Sequence, residues 1–260
     1  FFNRFNPFVP KALVFPDHAI LKFLKEKSPD RYWGYGTAGI AANFASQYQI
    51  FSPEGYDPLY PAWYGEFLYS YRDGKPIKIF DNATRSDAAI SSMFGDSGLT
   101  NPNKQQVLNA LSVRYILDRT ENGSSEKTYP PGLFNPVYSF EDWRVYENVK
   151  ALPRVYMDNG KATILTYQTE HVSIQTESSV SSTLTLTDTY YPGWQALTDG
   201  KPTKIHKTEK ALRTISVPSG AHTITFVYRP RSVMLGMIVS IISFLGAGIA
   251  LILIHAKKHE

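Results

Sequence analysis

VMLGMIVSIISFLGAGIALILI, Val233 to Ile254, is an uncharged stretch of 22 residues. As an α-helix at about 1.5 Å per residue it would reach roughly 33 Å, enough to cross a hydrocarbon core of about 30 Å. Its polar side chains are Ser240 and Ser243 alone, fewer than a soluble core helix of this length usually carries. Arg229 and Arg231 stand just before it, and Lys257 and Lys258 just after, so long cationic side chains can snorkel to the headgroups at both ends. The stretch predicts one C-terminal transmembrane helix over 231–256, with a cytoplasmic tail over 257–260.

The remaining residues, about 230, have ordinary globular composition and suffice for two modest cores. From Asp17 onward helical and strand patterns mix. Asp17 can cap a helix with Ile20, Phe23 and Leu24 on one face, and Ser28-Pro29 ends it. A second helix is expected from Pro61 through Trp63, Phe67 and Leu68, and a third from an Asn103 cap through Val107, Leu108 and Leu111. VRYIL, Val113 to Leu117, reads as a buried strand, and Glu121 to Gly132 as a surface loop.

After Leu152 the period becomes two, in TILTYQTEHVSIQTES, SSTLTLTDTYY, ALRTISVP and AHTITFVYR. Asp199-Gly200 and Ser219-Gly220 mark hairpin turns. The fold class is therefore α+β: a mixed α/β domain over 1–150, a small antiparallel β-sandwich over 151–230, and the membrane helix.

Cysteine is absent, which excludes disulfides and thiolate metal sites. The net charge of +4 comes from 27 basic and 23 acidic residues, with no basic helical stripe, so nucleic acid is not an expected partner. The opening Phe1-Phe2 shows neither an initiator Met nor a signal peptide, so the chain is expected to be part of a longer protein.

GYGTAG, Gly34 to Gly39, has the G-x-G-x-x-G spacing, but Asp30-Arg31-Tyr32-Trp33 before it is too polar and too short for the strand a dinucleotide site needs, which favours a flexible loop. His18, His171, His206, His222, His255 and His259 show no metal-type pairing, so no metal site is expected. Asp57, Glu66, Asp73, Asp81 and Asp87 cluster loosely in loops and caps, where solvated surface is the simpler reading. Asn82-Ala83-Thr84 and Asn122-Gly123-Ser124 fit the glycosylation acceptor pattern. Lys201, Lys204, His206, Lys207 and Lys210 form a basic hairpin suited to anionic lipid or to a solvated edge. Tyr190, Tyr191 and Trp194 are candidate glycan contacts, aromatic faces with a polar rim; the competing and preferred reading puts Tyr190 and Trp194 in the sandwich core.

Four stretches carry a resemblance: LNALSVRYIL from Leu108, YENVKALPRVY from Tyr146, DTYYPGWQALTDGK from Asp188 and LRTISVPSGAHTITFVYRPRS from Leu212, joined by EGYDPLYPAWYGEF from Glu54. In this order and spacing the chain resembles the C-terminal end of the bacterial YfhO-type membrane proteins. That family is polytopic and similar in architecture to the GT-C glycosyltransferases, which use polyprenyl-phosphate sugars. The resemblance implies residues 1–230 on the extracytoplasmic side of the cell membrane and an acceptor such as a cell-surface polysaccharide or teichoic-acid-like polymer. It also implies a catalytic carboxylate in the first outer loop, so no catalytic residue and no cofactor is assigned to these residues. The motifs themselves read as turn-forming, through Pro192-Gly193, Asp199-Gly200 and Ser219-Gly220. The rival reading is a non-enzymatic, membrane-anchored carbohydrate-binding or structural module.

Overall fold

The structure, a computed structural model, describes residues 9–40, 43–55, 59–76, 88–90 and 98–257. The chain divides into two units, the first holding residues 1–156, 185–189 and 207–214, the second 157–184, 190–206 and 215–260.

The first unit is built on a four-stranded mixed sheet. Its strands are β1 (Arg31–Gly34), β2 (Val113–Arg119), β3 (Phe134–Phe140) and β4 (Trp143–Asn148), in the order β1-β2-β4-β3. β1 runs parallel to β2, and the other pairs are antiparallel. Successive strand residues point to opposite faces, so a strand covered on both sides is apolar along its length. VRYIL is such a strand: Ile116 joins the core of Trp33, Leu68 and Leu108, and Leu117 joins that of Ile20, Leu24, Tyr32 and Val145.

Helices cover these faces. Besides the short α1 (Lys11–Val14) and α3 (Phe44–Tyr48), they are α2 (Ala19–Glu26), α4 (Ala62–Tyr69) and α5 (Pro102–Ala110). Their caps lie beside the expected residues. His18 Nδ1 accepts from Ile20 N (3.2 Å) and so caps α2, while Asp17 pairs with Lys22 at 2.8 Å. Asn101, with Pro102 behind it, caps α5 by accepting from Asn103 N at 2.9 Å and Lys104 N at 3.2 Å. At the end of α5 the buried Ser112, φ 56°, turns the chain directly into β2. The loop from Glu121 to Gly132 is not all surface, because Tyr129 is buried and stacks on Tyr146 with ring centres 3.8 Å apart.

Three guanidiniums converge on one carboxylate inside this unit. Asp188 Oδ1 accepts from Arg154 Nη2 (2.7 Å) and Arg31 Nη2 (3.2 Å), and Asp188 Oδ2 accepts from Arg213 Nη2 (2.9 Å). All four residues are buried. Arg31 Nη1 also donates to the carbonyls of Leu111 and Thr187, each at 2.8 Å, and Ser112 Oγ lies 2.9 Å from Thr187 Oγ1. Burial, with Glu54 and Asp188 among its charged neighbours, pushes the Tyr64 phenol up to about 12.

The second unit holds the five-stranded antiparallel sheet of the sandwich: β6 (Lys161–Tyr167), β7 (His171–Ser178), β9 (Trp194–Thr198), β10 (Lys201–Thr203) and β13 (Gly220–Tyr228), in the order β10-β9-β13-β7-β6. Its period of two is visible in burial: Val172, Ile174, Thr176 and Ser178 on β7 face inward, as do Ile224 and Phe226 on β13. A third sheet, β11-β12-β8-β5, is formed by β5 (Val155–Met157), β8 (Ser182–Thr189), β11 (His206–Lys207) and β12 (Leu212–Val217), each of which carries residues of both units. The chain ends in α6 (Arg231–Lys257), whose residues 231–252 form one apolar, unburied span.

Both expected hairpin turns are tied together by His222. Its Nδ1 lies 2.6 Å from Asp199 Oδ2 and its Nε2 lies 3.1 Å from Ser219 O. Two acceptors, one at each ring nitrogen, are satisfied together only by the doubly protonated imidazolium. The hydrogen bond to Asp199 accordingly raises the His222 pKa and lowers that of Asp199.

Asp188→Asn removes the shared anion from three buried guanidiniums, so it should lower stability by about 3–5 kcal/mol in urea unfolding of the detergent-solubilised chain. The His222–Asp199 contribution is present below the ordinary histidine pKa of about 6.5 and lost as pH rises through the raised folded value; for Asp199 it is present above about 3.9 and lost as pH falls through the lowered one. The pair should therefore stabilise most between about pH 4 and 6.5, and His222→Gln should abolish the alkaline part of the loss in melting curves taken across pH.

Candidate functional site

Tyr190-Tyr191-Pro192-Gly193-Trp194 links β8 to β9 within the second unit. Gly193 has φ 107°, and a Cβ there would come within 2.9 Å of the Tyr228 ring and 3.0 Å of Pro230. Only glycine lets the turn lie this close to the end of β13. Its carbonyl accepts from Arg229 N at 2.8 Å, which fixes the turn against the residues that open α6. Trp194 stands opposite Tyr228 in the β9–β13 pairing, with ring centres 5.3 Å apart, and Tyr191 lies 6.5 Å from the same ring.

The preferred expectation for Trp194 and Tyr190, a place in the sandwich core, is corrected: both are half-buried, and Tyr191 is 47% exposed. Buried side chains of this unit include Val172, Ile174, Leu184, Ala196, Ile215, Val217, Ile224 and Phe226. Trp194 shares the inward phase of Ala196 but is the first residue of its strand, so it has the right face without the depth.

Trp194 is a wall common to two open grooves. One, of about 440 Å³, is lined by Pro192, Gly193, Trp194, Gln195, Arg229, Pro230, Arg231 and Ser232. The other, of about 300 Å³, runs from Tyr190 and Trp194 past Leu197 to Pro202, Thr203 and Ile205. Neither lining includes a carboxylate. An aromatic wall with a polar rim suits a sugar ring, and the two arginines suit an anion. Sequence reading assigned Arg229 and Arg231 only to anchoring the span. The signal that joins them to Trp194 is the pairing of β9 with β13, which is tertiary.

The other singled-out residues lie elsewhere. GYGTAG follows β1, which is a buried parallel strand despite its polar start, because Arg31 is neutralised by Asp188; that part of the expectation is corrected. Two of its three glycines serve internal contacts: a Cβ on Gly34 would sit 2.5 Å from Ala38 O, and one on Gly36 2.6 Å from Asn122 Oδ1, while one on Gly39 would meet nothing within 4 Å. The Asn122 amide nitrogen of the second acceptor triplet donates to Asp118 Oδ1 (2.7 Å) and Tyr35 O (3.1 Å), which withdraws it from solution. Asp57, Asp81, Asp87 and Asn82-Ala83-Thr84 lie outside the described residues, while Glu66 is half-buried and Asp73 exposed. Lys207 lies over the Trp63 ring at 5.5 Å, in the first unit. Among the described residues no three His, Asp or Glu side chains are placed to hold a metal.

An α+β region ending in one helix long and apolar enough to cross a bilayer, together with the family match below, supports a membrane protein. A family model described as bacterial membrane protein YfhO matches residues 157–240. Residues 157–240 are thus similar to the YfhO family, the match running from the sandwich through Trp194 into α6 and taking in the motifs that begin at Asp188 and Leu212. Comparison with curated proteins and with solved structures returned no match.

Phe226→Ala removes a fully buried ring and should cost about 3–5 kcal/mol. Trp194→Ala, at the open end of the same sheet, should cost clearly less in the same urea titration. Equal losses would return Trp194 to the core.

Proposed function

We propose that this chain is the C-terminal extracytoplasmic region of a polytopic membrane glycosyltransferase of GT-C type, with residues 1–230 outside the cell and α6 returning the chain to the cytoplasm. In this reading the region is accessory. It presents a cell-surface polysaccharide or teichoic-acid-like acceptor while the polytopic part transfers sugar from a polyprenyl-phosphate donor. Tyr190, Tyr191 and Trp194 contact the glycan.

What supports the reading is the continuity of the YfhO-family match from β6 through the aromatic grooves into the span, since an aromatic wall close to the first residues of the span suits a sugar ring. The acid-free linings of those grooves support a binding role over a transfer role, because transfer from a lipid phosphate needs a carboxylate beside the donor.

The test is genetic and chemical. Deleting the gene should remove sugar from a wall-associated polymer; the full gene should restore it, and residues 1–260 alone should not. Rescue by residues 1–260 would place catalysis within them, and an unchanged sugar profile would favour the anchored non-enzymatic module. In the same strains, Ser179→Cys in this cysteine-free chain should react with an impermeant maleimide in intact cells, and Lys258→Cys only after permeabilisation.

A further inference from the structure

The larger groove beside Trp194 opens where the apolar span begins. Pro230, Arg231 and Ser232 line it, and the span starts at Arg231, so a bilayer around that span would meet the groove at headgroup level. Its charge is one-sided. Arg229 and Arg231 are both exposed, no carboxylate lines the groove, and among the described residues neither guanidinium forms an ion pair. Its shape is set beforehand by the Gly193 carbonyl on Arg229 N and by the packing of the Gly193 turn on Tyr228 and Pro230.

We infer that this groove seats the phosphate of an anionic bilayer lipid, gripped by the Arg229 and Arg231 guanidiniums and walled by the Trp194 indole. A guanidinium offers paired donors in a rigid fork that matches phosphate oxygens, and an indole is suited to the boundary between headgroup and acyl chain. Dissolved phosphate has the same chemistry, but a groove at the mouth of the span meets lipid-borne phosphate at far higher local concentration. This inference rests on the span and on the lining of the groove and not on the glycosyltransferase reading, so either can fail without the other.

The full chain is reconstituted in phosphatidylcholine nanodiscs with or without phosphatidylglycerol, and its melting temperature is followed by tryptophan emission. Phosphatidylglycerol should raise the melting temperature. Arg229→Lys with Arg231→Lys should lose most of that increment while melting normally in phosphatidylcholine alone, because lysine keeps the charge but not the fork. Lys201→Gln with Lys204→Gln should retain it. No increment in the wild-type chain, or a full increment in the double-lysine variant, would overturn the site in favour of diffuse surface attraction. An equal, arginine-dependent increment from inorganic phosphate in phosphatidylcholine alone would make it a site for the free ion instead of the lipid.

Discussion

One carboxylate, that of Asp188, holds the first unit's distant segments in register. It accepts from Arg154 at 2.7 Å, Arg213 at 2.9 Å and Arg31 at 3.2 Å. The partners lie 34, 25 and 157 positions away in the chain. Burying charge is costly unless each ion finds partners of good geometry, so such a cluster tolerates few alternative arrangements of the strands that bear it. Arg31 begins β1, Asp188 lies near the end of β8 and Arg213 is the second residue of β12, and through Leu111 and Ser112 the cluster reaches the corner between α5 and β2. The four motifs that carry the family resemblance, two of which hold the turn pairs, therefore also converge on this one buried interaction.

The cluster was partly legible. In LTLTDT, Asp188 has the phase of Leu184 and Leu186, and Arg213 has that of Ile215 and Val217, so each breaks an inward-facing apolar series with a charge. A charge on an inward phase demands an opposite partner. What the pattern does not contain is the partner's identity, because Arg154 and Arg31 sit in segments with no period-two signal of their own.

The aromatic turn shows the opposite kind of gap. Tyr190, Tyr191 and Trp194 stand together in the sequence as one aromatic turn, and the burial tendency of large aromatic rings favours a core place for Trp194. Phase specifies which face of a sheet a side chain occupies, and position along the strand relative to its neighbours specifies how deep it lies. Register with Tyr228 puts Trp194 at the end of the sheet, next to the start of the span, where an indole with one wet edge is at home.

Sequence by itself determined the features whose physics is local: the uncharged length that crosses a bilayer, the change to period two after Leu152, the Asp199-Gly200 hairpin with positive φ at both residues, and the strand character of Val113 to Leu117. Tertiary structure alone decided which charges are buried together, which ring faces solvent, and that Gly193 is needed where Tyr228 and Pro230 approach it. Those outcomes depend on contacts between residues far apart in the chain, and such contacts leave no fixed spacing in the sequence from which they could be read.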